Sequence, residues 1–220
     1  MAYPHADPRE IRILSKQFGE AGARSLDGWT ERGGYRAVRK ALGMSRDEVI
    51  QVVKDSGLRG RGGAAFPTGM KWSFMPKDDG RPHYLVCNAD ESEPGTFKDR
   101  ELMRWTPHQL IEGCVIGSYA IGARHCYIYV RGEFVDVLPI LNAAVVEAYQ
   151  EGYLGENIQG SGYDLDLTVH VGAGAYIAGE ETGMLSSLDG RRAEPKVKPP
   201  FPAQKGAFGM PTTVNNVETL

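Results

Sequence analysis

The sequence predicts an α/β fold in which a Rossmann-like parallel sheet is flanked by helices and preceded by an N-terminal arm of helical and extended segments. Three short β-compatible runs, at residues 83–87, 125–130 and 165–171, alternate with stretches of helical periodicity. Strands that alternate with helices in this way form parallel sheets. Glycine accounts for 28 of the 220 residues, where roughly 7% is usual, so the chain has many special backbone positions.

Composition and charge exclude several classes of function. Apolar residues make up 41% of the chain and charged residues 24%, which is ordinary for a globular protein. The net charge of −3 provides no broad basic surface for nucleic acid. No apolar run approaches the ~18 residues that a membrane helix needs, and residues 1–7 lack the pattern of a secretory signal. We therefore expect neither nucleic acid as a partner nor direct insertion into a membrane.

The cysteines and histidines give no pattern of a metal site. Cys87, Cys114 and Cys126 are far apart in sequence, and each lies in an apolar run. We expect buried core thiols in a reducing compartment rather than metal ligands or a disulfide. The five histidines are scattered, and no spacing of histidine and cysteine matches a metal-binding motif.

The chain divides into residues 1–56, an N-terminal arm with helices, and residues 57–220, the α/β domain. Residues 1–33 are polar and only weakly periodic, which predicts an extended arm that wraps over another surface, such as that of a partner. A short helix with a basic face is predicted over residues 35–42.

A capping box predicts the next helix. Ser45 precedes Glu48 by three residues, so the two side chains can satisfy free N–H groups at a helix N-terminus. Gly57 is suited to follow the end of that helix, because glycine readily adopts the left-handed conformation found there. The apolar residues expected to face the core are Val49, Ile50, Val52 and Val53.

A glycine-rich stretch over residues 57–72 is the first candidate site. Successive N–H groups without flanking side chains can form a concave anion site, and cations at both ends suit a phosphate or pyrophosphate. These features predict a cradle for a nucleotide or a flavin; the alternative is a mobile glycine loop. The cations are Arg59, Arg61 and Lys71, and the flat rings available for stacking are Phe66, Trp72 and Phe74.

The cradle contains the spacing Gly60-x-Gly62-x-x-Ala65, a variant of the dinucleotide-binding fingerprint. That fingerprint requires a strand before it and a helix after it. Here a helix is predicted before it and Pro67 follows it, so we reject an ordinary Rossmann nucleotide site at this position.

The candidate site continues where the first strand ends. The polar residues 88–97 follow this strand at its carboxyl end, which is where open α/β sheets bind ligands. Thr106 and Pro107 then have the pattern of a helix N-cap and first helical residue, and Gly122 follows the helix. A second helix, which Gly152 ends, has apolar residues at helical spacing: Phe134, Leu138, Leu141, Val145, Ala148 and Tyr149.

The third strand leads into a second glycine-rich turn, residues 172–183, and a short helix over residues 184–188. Glu180 and Glu181 lie in this turn. Because a helix N-terminus favours anions, two glutamates would compete with a phosphate there. They are better suited to accept hydrogen bonds from ribose hydroxyls or a carboxamide, or to lie near a ring that becomes cationic on losing hydride. The alternative is that they cap the helix.

The last part of the sequence supplies cations and amides. Residues 194–202 contain four prolines together with Lys198 and Phe201, and they predict an extended loop without regular structure. Asn215 and Asn216 provide side-chain amides that can bind polar ring edges or phosphate. The alternative for Asn216 is that it caps a helix.

Together these motifs resemble the family of flavin-binding F subunits of NADH-quinone oxidoreductase, respiratory complex I. The resemblance runs in order from about residue 8 to residue 220. It rests on RGRGG at residues 59–63, FPTG at 66–69, KWSF at 71–74, CNADESEPGT at 87–96, and residues 172–183 and 211–220.

The resemblance implies non-covalent FMN as cofactor and NADH as hydride donor, with electrons passing from FMN through iron–sulfur clusters toward quinone and no side chain acting as a catalyst. Glu93 is expected to accept from the adenosine ribose and to repel a 2′-phosphate, and Glu181 to lie near the nicotinamide. The implied FMN contacts are Gly60, Gly62, Lys71, Asn88, Asp90, Gly179, Glu180, Asn215 and Asn216. The implied NADH contacts are Phe66, Phe74, Glu93, Tyr176, Glu181, Lys198 and Phe201.

Partners, location and missing parts are implied in the same way. The partners are the other hydrophilic-arm subunits of complex I, especially the thioredoxin-like E subunit with its 2Fe–2S cluster and the iron–sulfur G subunit. The expected location is cytoplasmic, peripheral to the inner membrane. The family continues into a ubiquitin-like domain and a helical bundle that holds a 4Fe–4S cluster. Such clusters need four thiolates, so we expect no cluster ligands in this chain. Ala65 replaces a glycine usual in the family, and it is expected to be tolerated if its φ is negative.

Two other interpretations are kept. One is the diaphorase subunit of an NAD-linked hydrogenase or formate dehydrogenase, relatives that often carry fused modules. The start of the family region close to residue 1 favours complex I over that interpretation. The other is a truncated, inactive fragment that serves only as an assembly scaffold.

Overall fold

A computed structural model describes residues 7–77 and 79–220. Residues 1–6 lie outside the described residues. They belong to the predicted arm, and the prediction that the chain lacks a secretory signal depends partly on them. No helix within the described part of the chain is long and apolar enough to cross a membrane.

The core of the fold is a parallel sheet of four strands in the order β3-β2-β1-β4, which confirms the predicted fold class. Each strand pairs in parallel with its neighbours, and Leu85 of the central strand lies opposite Cys126 on one side and Thr213 on the other. The strands are β1 (Tyr84–Ala89), β2 (His125–Val130), β3 (Asp166–Val171) and β4 (Thr212–Asn216).

The edge strand β4 was not predicted. Its sequence, Thr-Thr-Val-Asn-Asn, is mostly polar and has no apolar run. It forms a strand because β1 offers a partner along its whole length, and its first four residues are buried. Residues 172–211 separate it from β3, so local sequence contains no signal for this pairing.

Eight α-helices surround the sheet within the described residues. The predicted helices are present, although α7 begins at Leu138, so Phe134 lies outside it, and α8 begins three residues earlier than predicted; α1, α4 and α5 were not predicted. Their bounds are α1 (Leu26–Glu31), α2 (Arg36–Leu42), α3 (Arg46–Asp55), α4 (Thr68–Trp72), α5 (Lys98–Trp105), α6 (Pro107–Ile121), α7 (Leu138–Gln150) and α8 (Glu181–Leu188).

Two apolar clusters cover the two faces of the sheet. The larger one contains Leu85 and Cys87 of β1 with side chains from α2, α3, α6 and α7. The smaller one contains Val86 and Val214 with Met184 of α8. Successive strand residues point to opposite faces, so β1 contributes to both clusters. All three cysteines are free and buried in the larger cluster, which confirms the prediction of core thiols.

The N-terminal arm packs on its own domain rather than only extending over another surface. Leu26 and Trp29 on α1 are buried in the larger cluster. The Trp29 indole N–H donates to Glu112 of α6 at 3.0 Å, and the backbone N–H of Tyr35 donates to the same carboxylate oxygen at 2.8 Å. The expectation of an extended arm missed this because its apolar residues are too sparse to give a helical period.

The helix ends confirm some capping predictions and correct others. Ser45 and Glu48 form the complete capping box of α3, and Gly57 follows that helix with φ +68°. The prediction that Val52 faces the core is wrong, since 52% of this residue is exposed. It lies at the edge of the apolar face of α3. Thr106 is at the N-cap position of α6 and Pro107 is the first helical residue, as predicted, but the Thr106 side chain makes no capping hydrogen bond; its hydroxyl donates to the Leu102 carbonyl at 3.3 Å.

Candidate functional site

A cleft of about 940 Å³ opens at the carboxyl ends of β1 and β4. The loop before α4, the start of α8 and the proline-rich loop form its other walls. Most of the residues that the sequence predicted for binding line it: Gly60, Gly62, Phe66, Lys71, Phe74, Asn88, Gly179, Glu180, Glu181, Lys198, Phe201, Asn215 and Asn216. The sheet creates this edge, because the carboxyl ends of parallel strands meet there.

The glycine cradle is a closed loop between α3 and α4, which confirms that a helix and not a strand precedes it. The N–H of Gly60 donates to the Phe66 carbonyl at 2.9 Å, so the loop closes on itself. A Cβ at Gly62 would lie 3.2 Å from the Cβ of Asn216, which is tighter than ordinary contact. Glycine at position 62 therefore lets the cradle approach β4 closely.

Ala65 adopts a left-handed conformation, with φ +51°. The negative φ on which its tolerance was expected to depend is therefore not present. The left-handed region costs a residue with a Cβ about 1–2 kcal/mol, whereas glycine enters it freely. The methyl group of Ala65 thus makes the cradle less stable than glycine would.

Ala65→Gly is expected to raise the free energy of unfolding by about 0.5–1 kcal/mol, since relief of the left-handed strain exceeds the entropy that glycine adds to the unfolded chain. Urea denaturation measures this difference. Ala64→Gly is the matched control, because Ala64 lies beside it without a positive φ. That control is expected to lower stability by a similar amount, and equal losses in the two variants would contradict the strain at Ala65.

Two lysines and two glutamates form a charge cluster in the cleft. The Lys71 ammonium lies 3.3 Å from the Glu181 carboxylate, which also pairs with Lys198. Lys198 is in addition 3.8 Å from Glu180. Burial opposes ionisation of Glu181, but the charges of Lys71 and Lys198 outweigh it and hold the pKa of Glu181 below its usual range. The cluster contains two ammonium groups and two carboxylates, so its formal charges are balanced.

The two glutamates have different roles in the structure. One oxygen of Glu180 accepts from the N–H groups of Thr182 and Gly183, at 2.9 and 2.8 Å, so Glu180 is the N-cap of α8. This is the capping alternative left open by the sequence. Glu181 is the first helical residue, and its carboxylate faces the lysines. The Glu181 carboxylate therefore pairs with lysine side chains of the cleft, whereas the Glu180 carboxylate accepts from the N-terminus of α8.

The prediction that the Trp72 ring is available for stacking is wrong, because only 4% of this residue is exposed. Its indole N–H donates to Asn215 Oδ1 at 2.9 Å, and so it orients a side chain of the cleft. Phe66 and Phe74 remain exposed, with ring centroids 6.0 Å apart and an interplanar angle of 47°. These two rings, with exposed Phe201, supply the flat faces of the site.

Asn216 is held by charged neighbours behind the cleft. Its amide N–H donates to Asp99 at 2.6 Å, while its oxygen accepts from Lys98 at 2.9 Å and from the N–H of Glu218 at 3.1 Å. The last of these bonds makes Asn216 the cap of a short 3₁₀ turn, Val217–Thr219. The capping alternative is therefore present in the structure, and the polar ends of this side chain are already used.

Three predicted residues do not line the cleft. Asp90 is buried and accepts from the Ser92 hydroxyl, and burial raises the pKa of its carboxyl group. The Tyr176 hydroxyl donates to Glu93 at 2.6 Å, and both side chains are exposed. Asn88, two residues before Asp90, does line the cleft, and its side-chain N–H donates to the Gly179 carbonyl at 2.8 Å.

Two threonines that line the cleft were not predicted from the sequence. Thr68 and Thr213 line the cleft, each is only 1% exposed, and neither hydroxyl has a hydrogen-bond partner within the described residues. Thr213 would have been found once β4 was known, since it lies two residues before Asn215 on the same face. Thr68 is the first residue of the short helix α4, which no local sequence pattern predicted.

The cleft has the properties of a flavin or nucleotide site. It combines glycine backbone without side chains, exposed aromatic rings and lysine ammonium groups, and its volume lies within the 300–1,000 Å³ usual for ligand pockets. Within residues 7–77 and 79–220, no group of three or more histidine, cysteine or acidic side chains is arranged to hold a metal ion.

Comparison with known proteins identifies relatives along nearly the whole chain. The F subunit of NADH-quinone oxidoreductase from Streptomyces coelicolor is 60% identical over 208 residues, which are 94% of this chain and 46% of the relative. The F 1 subunit of the same enzyme from Rhizobium meliloti is 58% identical over 212 residues, 96% of this chain and 48% of the relative. The chain thus spans about half the length of the curated relatives it matches.

A solved structure and a family description agree with this relationship. A crystal structure of an NAD+-reducing NiFe-hydrogenase in the H2-reduced state superposes with a TM-score of 0.76 and 40% identity, over 89% of this chain and 33% of that chain. Residues 53–220 match the family described as the Nuo51 FMN-binding domain. The match covers the cradle, the sheet and the cleft, so the chain belongs to the Nuo51 FMN-binding domain family.

Proposed function

We propose that this chain binds FMN in the cleft, receives hydride from NADH there, and acts as the NADH dehydrogenase module of complex I. The observation that carries the proposal is the cleft itself: bare backbone, buried amides, paired lysines and aromatic faces converge at the carboxyl ends of β1 and β4 in a chain of an FMN-binding family. The proposed domain boundaries are residues 57–220 for the binding domain and 1–56 for the arm.

The proposed binding residues follow from the resemblance. When bound, FMN supplies a ring that takes up hydride and releases electrons one at a time. The chain's own residues bind and orient, and none is assigned a catalytic role. Those proposed to hold FMN are Gly60, Gly62, Lys71, Asn88, Asp90, Gly179, Glu180, Asn215 and Asn216. Those proposed to hold NADH are Phe66, Phe74, Glu93, Tyr176, Glu181, Lys198 and Phe201.

Electrons are proposed to leave through iron–sulfur clusters of neighbouring chain segments or subunits. A 4Fe–4S cluster needs four thiolates, and this sequence has three cysteines, all buried in the core. The proposed partners are the other hydrophilic-arm subunits of complex I, especially the thioredoxin-like 2Fe–2S subunit and the iron–sulfur G subunit. The proposed location is cytoplasmic and peripheral to the inner membrane.

A second candidate is the diaphorase subunit of an NAD-linked hydrogenase or formate dehydrogenase. It is supported by the 40% identity to the hydrogenase chain, but the curated relatives from NADH-quinone oxidoreductase reach about 60%. Co-purification from the native host separates the two proposals. The E and G subunits of complex I would indicate complex I, and hydrogenase or formate dehydrogenase subunits would indicate a diaphorase.

The proposed function is tested by the absorbance spectrum of the purified chain before and after anaerobic addition of NADH. A flavin band that bleaches with NADH would support both FMN binding and hydride transfer. A chain that shows no flavin band after reconstitution with FMN would contradict the proposal and indicate an inert fragment or scaffold.

Glu93→Gln is expected to raise the use of NADPH relative to NADH, because a carboxylate beside the adenosine ribose accepts from the 2′-hydroxyl and repels a 2′-phosphate. The ratio of kcat/KM values for the two substrates is the measurement, made on protein that reduces FMN. Glu133→Gln is the control, since Glu133 is a surface carboxylate paired with Arg131 at 3.1 Å. An unchanged NADH/NADPH ratio in Glu93→Gln would remove this residue from the ribose site.

A further inference from the structure

We infer that Thr182 and Ser186 of α8 are positioning residues for NADH. Their hydroxyl groups attach the proline-rich loop, residues 194–202, to this helix, and the attachment holds Lys198 and Phe201 of the loop at the cleft. This role rests on the proposed NADH site, in which Lys198 and Phe201 are contacts. Neither Thr182 nor Ser186 lines the cleft, so both act through the loop and not on a ligand.

The Thr182 hydroxyl joins the N-terminus of α8 to the loop. It donates its proton to the Glu180 carboxylate at 2.5 Å and accepts from the backbone N–H of Lys196 at 2.8 Å. These directions are fixed, because a carboxylate accepts and an N–H donates. Thr182 is only 5% exposed, so both bonds are shielded from water. Thr182 therefore sets the distance between the N-cap of α8 and the loop.

Ser186 provides a second attachment one turn further along α8. Residues four apart lie on the same face of a helix, so the Thr182 and Ser186 hydroxyls face the loop together. The Ser186 hydroxyl donates to the Thr182 carbonyl at 3.0 Å and to the Glu194 carbonyl at 3.1 Å, as one proton shared in a three-centre hydrogen bond. Ser186 is 2% exposed, and it fixes the loop two residues before Lys196.

The first half of the loop contacts α8 at every second residue. Glu194 does so through its carbonyl and Lys196 through its backbone N–H. Lys198 follows with its ammonium group, which pairs with Glu181 at the start of the helix. A period of two is that of an extended chain, and Val197 between the last two contacts is 89% exposed. The loop thus lies along α8 as an extended segment whose third contact is made in the cleft.

Little else holds the backbone of this loop. Residues 194–202 contain four prolines, which have no backbone N–H to donate. Within residues 7–77 and 79–220, the bond from Lys196 to Thr182 is the one hydrogen bond made by the backbone of residues 195–200. Loss of the Thr182 hydroxyl therefore frees the segment that carries Lys198. A ligand that contacts Lys198 must then order this segment, and the entropy lost in ordering weakens its binding.

Thr182→Val and Ser186→Ala each remove one attachment. The rate of anaerobic flavin reduction in the FMN-loaded chain is measured at a series of NADH concentrations. The half-saturating NADH concentration is expected to rise about 3- to 10-fold, the net effect of one lost hydrogen bond, while the limiting rate changes less than about twofold. The Kd for FMN is expected to stay within about twofold, because the backbone N–H groups of residues 182 and 183 still hold Glu180.

Digestion of the flavin-free chain by trypsin measures the attachment without catalysis. Lys196 precedes Val197 and can be cleaved, whereas Lys198 precedes Pro199, a bond that resists trypsin. Mass spectrometry follows the fragment that begins at Val197. Cleavage after Lys196 is expected to be about 3- to 10-fold faster in Thr182→Val and Ser186→Ala than in the parent chain, because it follows the population of the detached loop. Equal cleavage rates would overturn the inference.

Matched variants keep this test specific. Thr106→Val and Ser118→Ala replace buried hydroxyl residues before and within α6, away from the loop, and should change neither the half-saturating NADH concentration nor the cleavage after Lys196. Thr182→Ser keeps the hydroxyl. It should behave as the parent chain does in both measurements, within about twofold, even if Thr182→Val lowers the stability of the fold.

The outcomes separate the positioning role from the proposed function. If NADH reduces the flavin of the parent chain and of both variants with the same half-saturating concentration, the positioning role fails while the proposed function stands. A lower thermal stability with unchanged NADH dependence would leave the two hydroxyls a purely structural role and would also overturn the inference. If NADH does not bleach the flavin of the parent chain, the proposed function fails and the positioning role fails with it.

Discussion

Lys71→Ala is expected to weaken FMN binding about 10- to 100-fold. A charge-assisted hydrogen bond to a ligand phosphate contributes about 1.5–3 kcal/mol, and Lys71 is one of the two lysines that line the cleft among the described residues. Its loss also leaves Glu180 and Glu181 facing Lys198 alone, which changes a balanced cluster into a negative one. Both effects act against an anionic ligand, and flavin fluorescence titration measures their sum as a change in Kd.

Two further lysine variants make this result specific. Lys196→Ala removes the same charge from an exposed position in the neighbouring loop, where the ammonium lies 4.0 Å from Asp189. It is expected to change the Kd for FMN less than about twofold, since a solvated charge outside the cleft contributes little. Lys71→Arg keeps the charge and should retain part of the affinity. Equal FMN binding by Lys71→Ala and the parent chain would remove Lys71 from the phosphate site.

Glu112→Ala is expected to lower the free energy of unfolding by about 3 kcal/mol, because one oxygen of this buried carboxylate accepts from the Trp29 indole and the Tyr35 backbone N–H. Removing it leaves two buried donors unsatisfied, at a cost of about 1–3 kcal/mol each. Because α1 and the start of α2 are joined to α6 through this oxygen, the N-terminal helices should lose their docking first.

The control for this prediction is Glu112→Gln, which keeps an acceptor oxygen in the same position. It is expected to lower the stability by about 1 kcal/mol, since a neutral acceptor replaces a charged one. Glu151→Ala, an exposed carboxylate after α7, should change stability by less than about 0.5 kcal/mol. A loss below about 1 kcal/mol for Glu112→Ala in urea denaturation would show that other contacts hold the arm.

Local patterns in the sequence were enough to predict the type of fold and the position of most elements. The capping pattern of Ser45 and Glu48 predicted α3, and the apolar runs of β1, β2 and β3 predicted a parallel sheet. Periodicity and capping depend on residues within a few positions of one another, which is why a single sequence reveals them. The glycine cradle was likewise predicted from its own motif, whereas the individual binding residues of the cleft were implied by the resemblance to a family.

The sequence also limited the chemistry without deciding each role. It identified Glu180 and Glu181 as a pair and left open whether they bind a ligand or cap a helix. In the structure Glu180 is the cap and Glu181 the partner of Lys71. This difference between the two glutamates depends on the exact first residue of α8 and on Lys71, which is 110 residues from Glu181. Local sequence spacing predicts neither.

Tertiary structure alone decided the remaining features of the site. The polar strand β4 exists because β1 pairs with it, and Trp72 became a support for Asn215, 143 residues away, rather than a stacking face. The left-handed backbone of Ala65 likewise follows from closure of the glycine loop. Strand pairing, burial and hydrogen-bond satisfaction join residues distant in sequence, so they arise only when the chain is folded.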